Sequence, residues 1–200
     1  MDEKQAIAQL KRHNPDGLEN LVYQYQVQAV RTACLIVGDR AQAEDIVQAA
    51  FIRAGERIDQ FDDQRPFGPW FMRSVARDAL KALERQKRFT SLEAGEETGT
   101  LDLFDPAPLP EEAVETGEIR QAVWQALESL SPKQRAAVVM RYYLEMHEDE
   151  IAEALHGAKG SVKWWLFMAR QHLKNLLAPS HAAGENPRRR SNLDSPESGE

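Results

Sequence analysis

Between Glu148 and Leu173 the chain writes a helical apolar stripe twice, with a break in the middle. Ile151, Ala152 and Leu155 fall at helical spacing, His156-Gly157 interrupts them, and Val162, Leu166, Ala169 and Leu173 resume the pattern. A half-buried strand needs apolar residues at every second position, so neither half reads as one. Two short amphipathic helices joined by a tight Gly-containing turn bury their stripes by folding onto each other. That helix-turn-helix unit is the one that sets its second helix in a DNA major groove. The second helix is expected to start near Lys159 and to expose Lys159, Lys163 and Arg170. A plain helical hairpin shares the pattern, so the stretch alone leaves both readings open.

The rest of the chain is punctuated as helices too. Leu18, Leu21, Val22, Tyr25, Ala29 and Ala33 recur at three- and four-residue steps until Gly38-Asp39. Asp39 followed by Gln42 is a capping pattern, in which the carboxylate accepts a free backbone N–H of the next helix. That helix, 39–58, carries Ile46, Val47, Ala50, Phe51, Ala54 and Ile58 on one face. Residues 62–69 hold two prolines and a glycine and read as a loop, with a further helix from Trp70 to Arg88. Ser131-Pro132-Lys133-Gln134 is a helix start, with Ser as N-cap, Pro at the first helical position and Gln three residues beyond the cap.

Residues 89–117 carry three prolines, three glycines and little periodicity, and are expected to be a flexible acidic linker. Residues 178–200 lack a core-forming pattern and are expected to be disordered. The fold expected is all-α: two small helical domains, 3–88 and 118–177, joined by the 89–117 linker and followed by the 178–200 tail.

Charge distribution separates these parts. The net charge is −7, and residues 89–117 alone contribute −8, with no basic residue among them. The two helical segments are therefore close to neutral, and the overall acidity does not count against a nucleic-acid partner. Within 70–88, Arg73, Arg77, Lys81 and Arg85 stand four residues apart and form one cationic row. Such a row tracks phosphates, and Trp70 and Phe71 at its start can stack on unpaired bases or lie in the core.

Enzyme constellations are missing from the sequence. There is no Gly-rich phosphate loop and no Cys cluster, and His147-Glu148-Asp149-Glu150 lacks the paired histidines of a zinc site. No metal, cofactor, catalytic residue or small-molecule substrate is expected. The one cysteine, Cys34, fits a small buried core residue in a reducing compartment. The N-terminus is too polar for a signal peptide, and no apolar run approaches the roughly 20 residues that span a bilayer. A soluble cytoplasmic protein without membrane insertion is expected.

The order of these features resembles the extracytoplasmic-function group of bacterial RNA polymerase sigma factors, in the sigma-70 family. GDRAQAEDIVQAAFIRAGERIDQF (38–61) is similar to the polymerase-binding helix of region 2, and FGPWFMRSVARD (67–78) to the segment that opens and reads the −10 element. LSPKQRAAVVMRYYLEMHEDEIAEAL with GSVK (130–163) is similar to region 4, which reads the −35 element. The resemblance implies transcription initiation, with bacterial core RNA polymerase, promoter DNA and an anti-sigma factor as partners. It implies that Asp45, Gln48, Phe51 and Ile52 dock on the polymerase clamp, and that Gln64, Trp70, Arg73, Arg77 and Lys81 engage the −10 strand. By similarity the 64–69 loop receives a flipped base. Lys159, Ser161, Lys163 and Arg170 take the −35 role.

The chain also departs from that family. Asp78 stands where Asn is usual, and His156-Gly157-Ala158 replaces the usual Gly-Ile-Ser turn, removing a capping hydroxyl. Trp164, Trp165, Leu166, Phe167 and Met168 replace Ser-Arg-Leu-His-Arg. Trp164, Trp165, Phe167 and Met168 span more than one helical face, so some of them are expected to form an exposed patch for a protein partner. Two other functions stay open on these residues: a sigma-like module that titrates a regulator without initiating transcription, and a conventional helix-turn-helix regulator. The 39–58 helix discriminates, because a conventional regulator has no use for it.

Overall fold

The computed structural model describes residues 2–92 and 121–177, and every regular element among them is a helix. The first module comprises α1 (Glu3–Lys11), α2 (Pro15–Val37), α3 (Arg40–Glu56), a 3₁₀ turn (Ile58–Gln60) and α4 (Phe67–Leu92). The second comprises α5 (121–128), α6 (Pro132–Val138), a π turn (Val139–Tyr143), α7 (Glu148–Ala154) and α8 (Lys159–Leu177). The expected disordered tail and all but the first four residues of the expected linker lie outside the described residues. Those four, 89–92, continue α4.

Local chemistry sets the boundaries. Asp39 accepts the Gln42 backbone N–H at 2.6 Å, as its spacing predicts. Ser131 and Gln134 form the reciprocal capping box, with Pro132 at the first helical position. Gly38 closes α2 at φ 89°, a left-handed conformation that costs glycine little.

α4 begins three residues earlier than its proline content suggests. Pro69 sits in the first turn, where a missing N–H breaks no helical bond, and the Phe67 N–H donates instead to the Glu3 carboxylate at 3.2 Å. Helix α1 thus caps helix α4. Gly17 lets α1 approach α2: a Cβ there would lie 2.4 Å from the Ala6 carbonyl oxygen and 2.6 Å from the Leu10 nitrogen.

The apolar faces meet in one continuous core. Leu21, Ile36, Phe67, Phe71 and Val75 are fully buried in the first module, and Leu130, Met140, Ile151 and Val162 in the second. Each such side chain contributes roughly 1.5–3 kcal/mol relative to exposure. The two expected domains pack against each other, α4 on α6 and α7, and α2 on the π turn.

One polar anchor lies in this seam. Arg135, only 4% exposed, donates from Nε to the Leu35 carbonyl at 2.7 Å, and its guanidinium lies 4.5 Å from the centre of the Trp124 ring. Burial pulls its pKa down to about 10. Lys87 of α4 adds a hydrogen bond to the Leu130 carbonyl at 3.3 Å. Cys34, beside this seam, is half-buried rather than fully buried, and its thiol pKa is raised by burial.

Candidate nucleic-acid interface

The start of α4 is built around Phe67. Its ring centre lies 5.4–5.6 Å from those of Tyr25, Phe61, Trp70 and Phe71, and Phe51 closes on Phe71 at 4.3 Å. Trp70 is half-buried, packed on Phe61 and Phe67, so it is both a core residue and a fixed aromatic edge at the surface. Gly68 passes under Tyr25, where a Cβ would come within 2.9 Å of the ring. Gln64 is exposed in the preceding loop, its backbone N–H donating to Asp62 at 3.0 Å.

Behind Trp70 the cationic row of α4 lines a cleft of about 450 Å³ between α3, α4 and α7. Arg53, Arg57, Arg73, Arg77 and Lys81 face it, against Asp78 and Glu153. Asp78 pairs with Arg53 and so ties α4 to α3. The carboxylate that stands where the family usually has Asn is thus partnered within the module. The Arg77 Nε is buried without a hydrogen-bond partner, which is costly unless an acceptor arrives. Lys81 is exposed. Cations in excess, a buried guanidinium nitrogen without a partner and an aromatic edge suit a phosphate backbone with a base stacked beside it.

Arg73 is held from the other module. Its guanidinium lies 3.1 Å from the Glu153 carboxylate and 4.0 Å from Glu150, both on α7. Glu150 also accepts the His147 backbone N–H at the start of that helix, at 2.9 Å. No pattern in the sequence pointed to Glu150 and Glu153 as partners of Arg73, because the contact joins residues about 80 apart.

On α3, Asp45, Gln48 and Ile52 are exposed and share the outer face. Phe51 does not join them. It is 5% exposed, on the buried stripe with Val47, Ala50 and Ala54. The helical register turns its ring onto Phe71 rather than onto the outer face that Asp45, Gln48 and Ile52 share.

The helix-turn-helix forms as its spacing predicts, with α8 starting at Lys159. The turn is tight: the Gly157 N–H donates to the Ala152 carbonyl at 2.9 Å, and His156 takes the left-handed conformation at φ 48°. Lys159 pairs with Asp149 at 2.6 Å and Lys163 with Glu148 at 4.0 Å, so the acidic first turn of α7 faces the cations at the start of α8. Ser161 is half-buried and Arg170 exposed.

Trp165 turns inward, half-buried against Gly157, with the Lys133 ammonium 5.4 Å from its ring centre. Trp164, Phe167 and Met168 stay in solvent, exposed by 56%, 51% and 39%. Among the described residues no group of His, Cys, Asp and Glu could hold a metal ion, and no helix is long and apolar enough to cross a membrane.

Comparison with known proteins divides the chain as the modules do. Sigma-70 region 2 matches residues 21–89, and Sigma-70, region 4 matches residues 120–173. The ECF RNA polymerase sigma factor SigW of Bacillus subtilis (strain 168) is 31% identical over 179 residues, covering 87% of this chain and 96% of SigW. The ECF RNA polymerase sigma-E factor of Escherichia coli (strain K12) is 29% identical over 164 residues, covering 78% of this chain and 83% of its own length. The sigma factor RpoE of Bartonella quintana, solved with the anti-sigma factor NepR, superposes with a TM-score of 0.62 at 19% identity, over 80% of this chain and 95% of that one. CnrH, solved with the cytosolic domain of CnrY, gives 0.60 at 23% identity, over 88% and 96%. At those identities the two structures establish the shared fold. The chain therefore belongs to the extracytoplasmic-function RNA polymerase sigma factors of the sigma-70 family.

Proposed function

We propose that this chain directs core RNA polymerase to a set of promoters and opens their −10 element, acting in the cytoplasm as a non-enzymatic initiation subunit. The observation that carries this reading is the row Arg73, Arg77 and Lys81 on α4, beside the fixed edge of Trp70. Asp45, Gln48 and Ile52 on the outer face of α3 dock on polymerase. Gln64 and Trp70 receive the extruded −10 base, and the α4 cations hold the phosphates of the same strand. Opening is driven by binding energy, since an unpaired base that stacks on Trp70 offsets part of its lost stacking in the duplex.

Glu150 and Glu153 compete with that strand for Arg73, so α7 must leave α4 before DNA enters. An anti-sigma protein is a further partner on this reading, as it is for RpoE of Bartonella quintana.

The second reading is a sigma-like module that titrates a regulator. The replacement of polar by bulky apolar residues at 164–168 favours it. One experiment separates the two. The purified chain is combined with bacterial core RNA polymerase on a pool of fragmented genomic DNA, and transcript starts are sequenced. Discrete starts sharing upstream motifs, absent without the chain, are expected. Tight polymerase binding without starts supports the titrating module, and no polymerase binding defeats the sigma reading.

A further inference from the structure

The core of the helix-turn-helix is complete without three of the largest side chains on α8. Val162, Leu166 and Ala169 are buried against α6 and α7, and Leu173 and Trp165 pack on their edge. Trp164, Phe167 and Met168, at positions i, i+3 and i+4, lie together on the solvent side. A tryptophan or phenylalanine carries roughly 150–250 Å² of surface, so the half-exposed Trp164 and Phe167 alone leave on the order of 200 Å² of aromatic surface in water. A contiguous patch of that kind marks a binding face more often than an isolated apolar residue does.

The charge around the patch is one-sided. Helix α8 holds Lys159, Lys163, Arg170 and Lys174 and no carboxylate. Lys163, Arg170 and Lys174 share a row with Phe167, at i−4, i+3 and i+7 from it. Lys159 and Lys163 are partly neutralised by Asp149 and Glu148. Arg170 and Lys174 have no carboxylate partner among the described residues.

DNA is a poor match for this face. Trp164 projects only an indole N–H, and Phe167 and Met168 offer base edges neither donor nor strong acceptor, so direct readout is reduced to apolar contact with thymine methyls. A second copy of the chain is also disfavoured, because a two-fold pairing of α8 on α8 sets four cations against four.

We propose that the exposed face of α8 docks an acidic amphipathic helix of a partner protein. Its apolar side covers Trp164, Phe167 and Met168, and its carboxylates pair with Lys163, Arg170 and Lys174. This is the helix-on-helix mode with anchors at i, i+3 and i+4, and it uses Trp and Arg, residue types in which binding energy concentrates. Met168 supplies an adaptable edge. The inference stands whether or not the chain initiates transcription.

The test uses the full chain and a labelled synthetic helical peptide of about five turns, with Leu and Phe at i, i+3, i+4 and i+7 and Glu on the flanks. Binding is read by fluorescence anisotropy, and the contact is mapped by amide chemical shifts. Saturable binding with shifts confined to α8 is expected. It should weaken by about tenfold or more in Trp164→Ala/Phe167→Ala, as for truncated anchors, and in Arg170→Gln/Lys174→Gln. These residues are exposed, and helical circular dichroism checks that the variants fold.

A peptide with Lys in place of Glu should not bind. Equal binding of that peptide, no binding, or binding indifferent to the variants overturns the proposal. So does promoter duplex affinity lost in Trp164→Ala/Phe167→Ala, which makes the face a DNA reader. Self-association lost in the same variant makes it a dimer interface. Peptide binding that emerges only after the eight acidic residues of 89–117 are neutralised assigns the face to the chain's own segment.

Discussion

Single residues in this protein are constrained by close approach and by backbone conformation, and both can be tested. A methyl group at Gly17 would meet main-chain atoms of α1, which cannot rotate away. Gly17→Ala should therefore lower unfolding stability by about 2 kcal/mol or more, or undock α1, measured by urea denaturation. Ala158 precedes α8 and has no side-chain acceptor for the free N–H groups of its first turn. Ala158→Ser should stabilise the second module by about 1 kcal/mol in the same measurement. The missing hydroxyl was legible in the sequence. The strain at His156 was not, because a non-glycine left-handed residue follows from turn geometry and not from composition. Phe51 marks a similar limit: its spacing put it on the apolar stripe, while the family resemblance put it on the polymerase face, and the register follows the stripe.

At the scale of elements, α1 and α3 both act on α4. Glu3 accepts the Phe67 N–H and the Tyr25 hydroxyl, joining α1, α2 and α4 at one carboxylate. Burial, followed by the Glu3 hydrogen bond and charge, raises the Tyr25 pKa above its ordinary value. The folded state thus favours the neutral phenol. Its contribution to stability is full below pH about 10, the unfolded value, and is lost as pH rises above it. Wild type should lose stability across that range more steeply than Tyr25→Phe, as seen in denaturation midpoints at successive pH values. Equal slopes would remove Tyr25 from the account.

From α3, Arg53 holds Asp78 at the floor of the cationic cleft. The pair is partly exposed, so Asp78→Asn should cost at most about 1 kcal/mol of stability. The same change should raise affinity for single-stranded −10 DNA, because it removes a carboxylate from the cleft. The cationic row itself was legible as a four-residue repeat, whereas its partners on α3 and α7 were not, since tertiary contacts leave no local periodicity.

For the whole molecule, the sequence pointed to two helical modules and their order, and the structure adds the seam between them. Arg135, a cation within a helical apolar run, is buried against Leu35 and Trp124. Arg135→Ala should loosen the seam and raise the radius of gyration in solution scattering, with little loss of helix by circular dichroism. An unchanged radius would place the seam's strength in its apolar contacts.

With the modules closed, α7 occupies Arg73, and the acidic first turn of α7 faces the cations at the start of α8. If Arg73 holds the −10 strand as proposed, promoter recognition requires α4 to exchange Glu150 and Glu153 for DNA. The most direct test of that claim is run-off transcription by Arg73→Ala/Arg77→Ala holoenzyme on two templates, a closed promoter duplex and the same promoter with its −10 region already unpaired. A loss of tenfold or more is expected on the closed duplex, by analogy with other multi-cation phosphate contacts, with substantial recovery on the unpaired template. Equal loss on both templates, or no loss on the duplex, would contradict a strand-opening role for the α4 face.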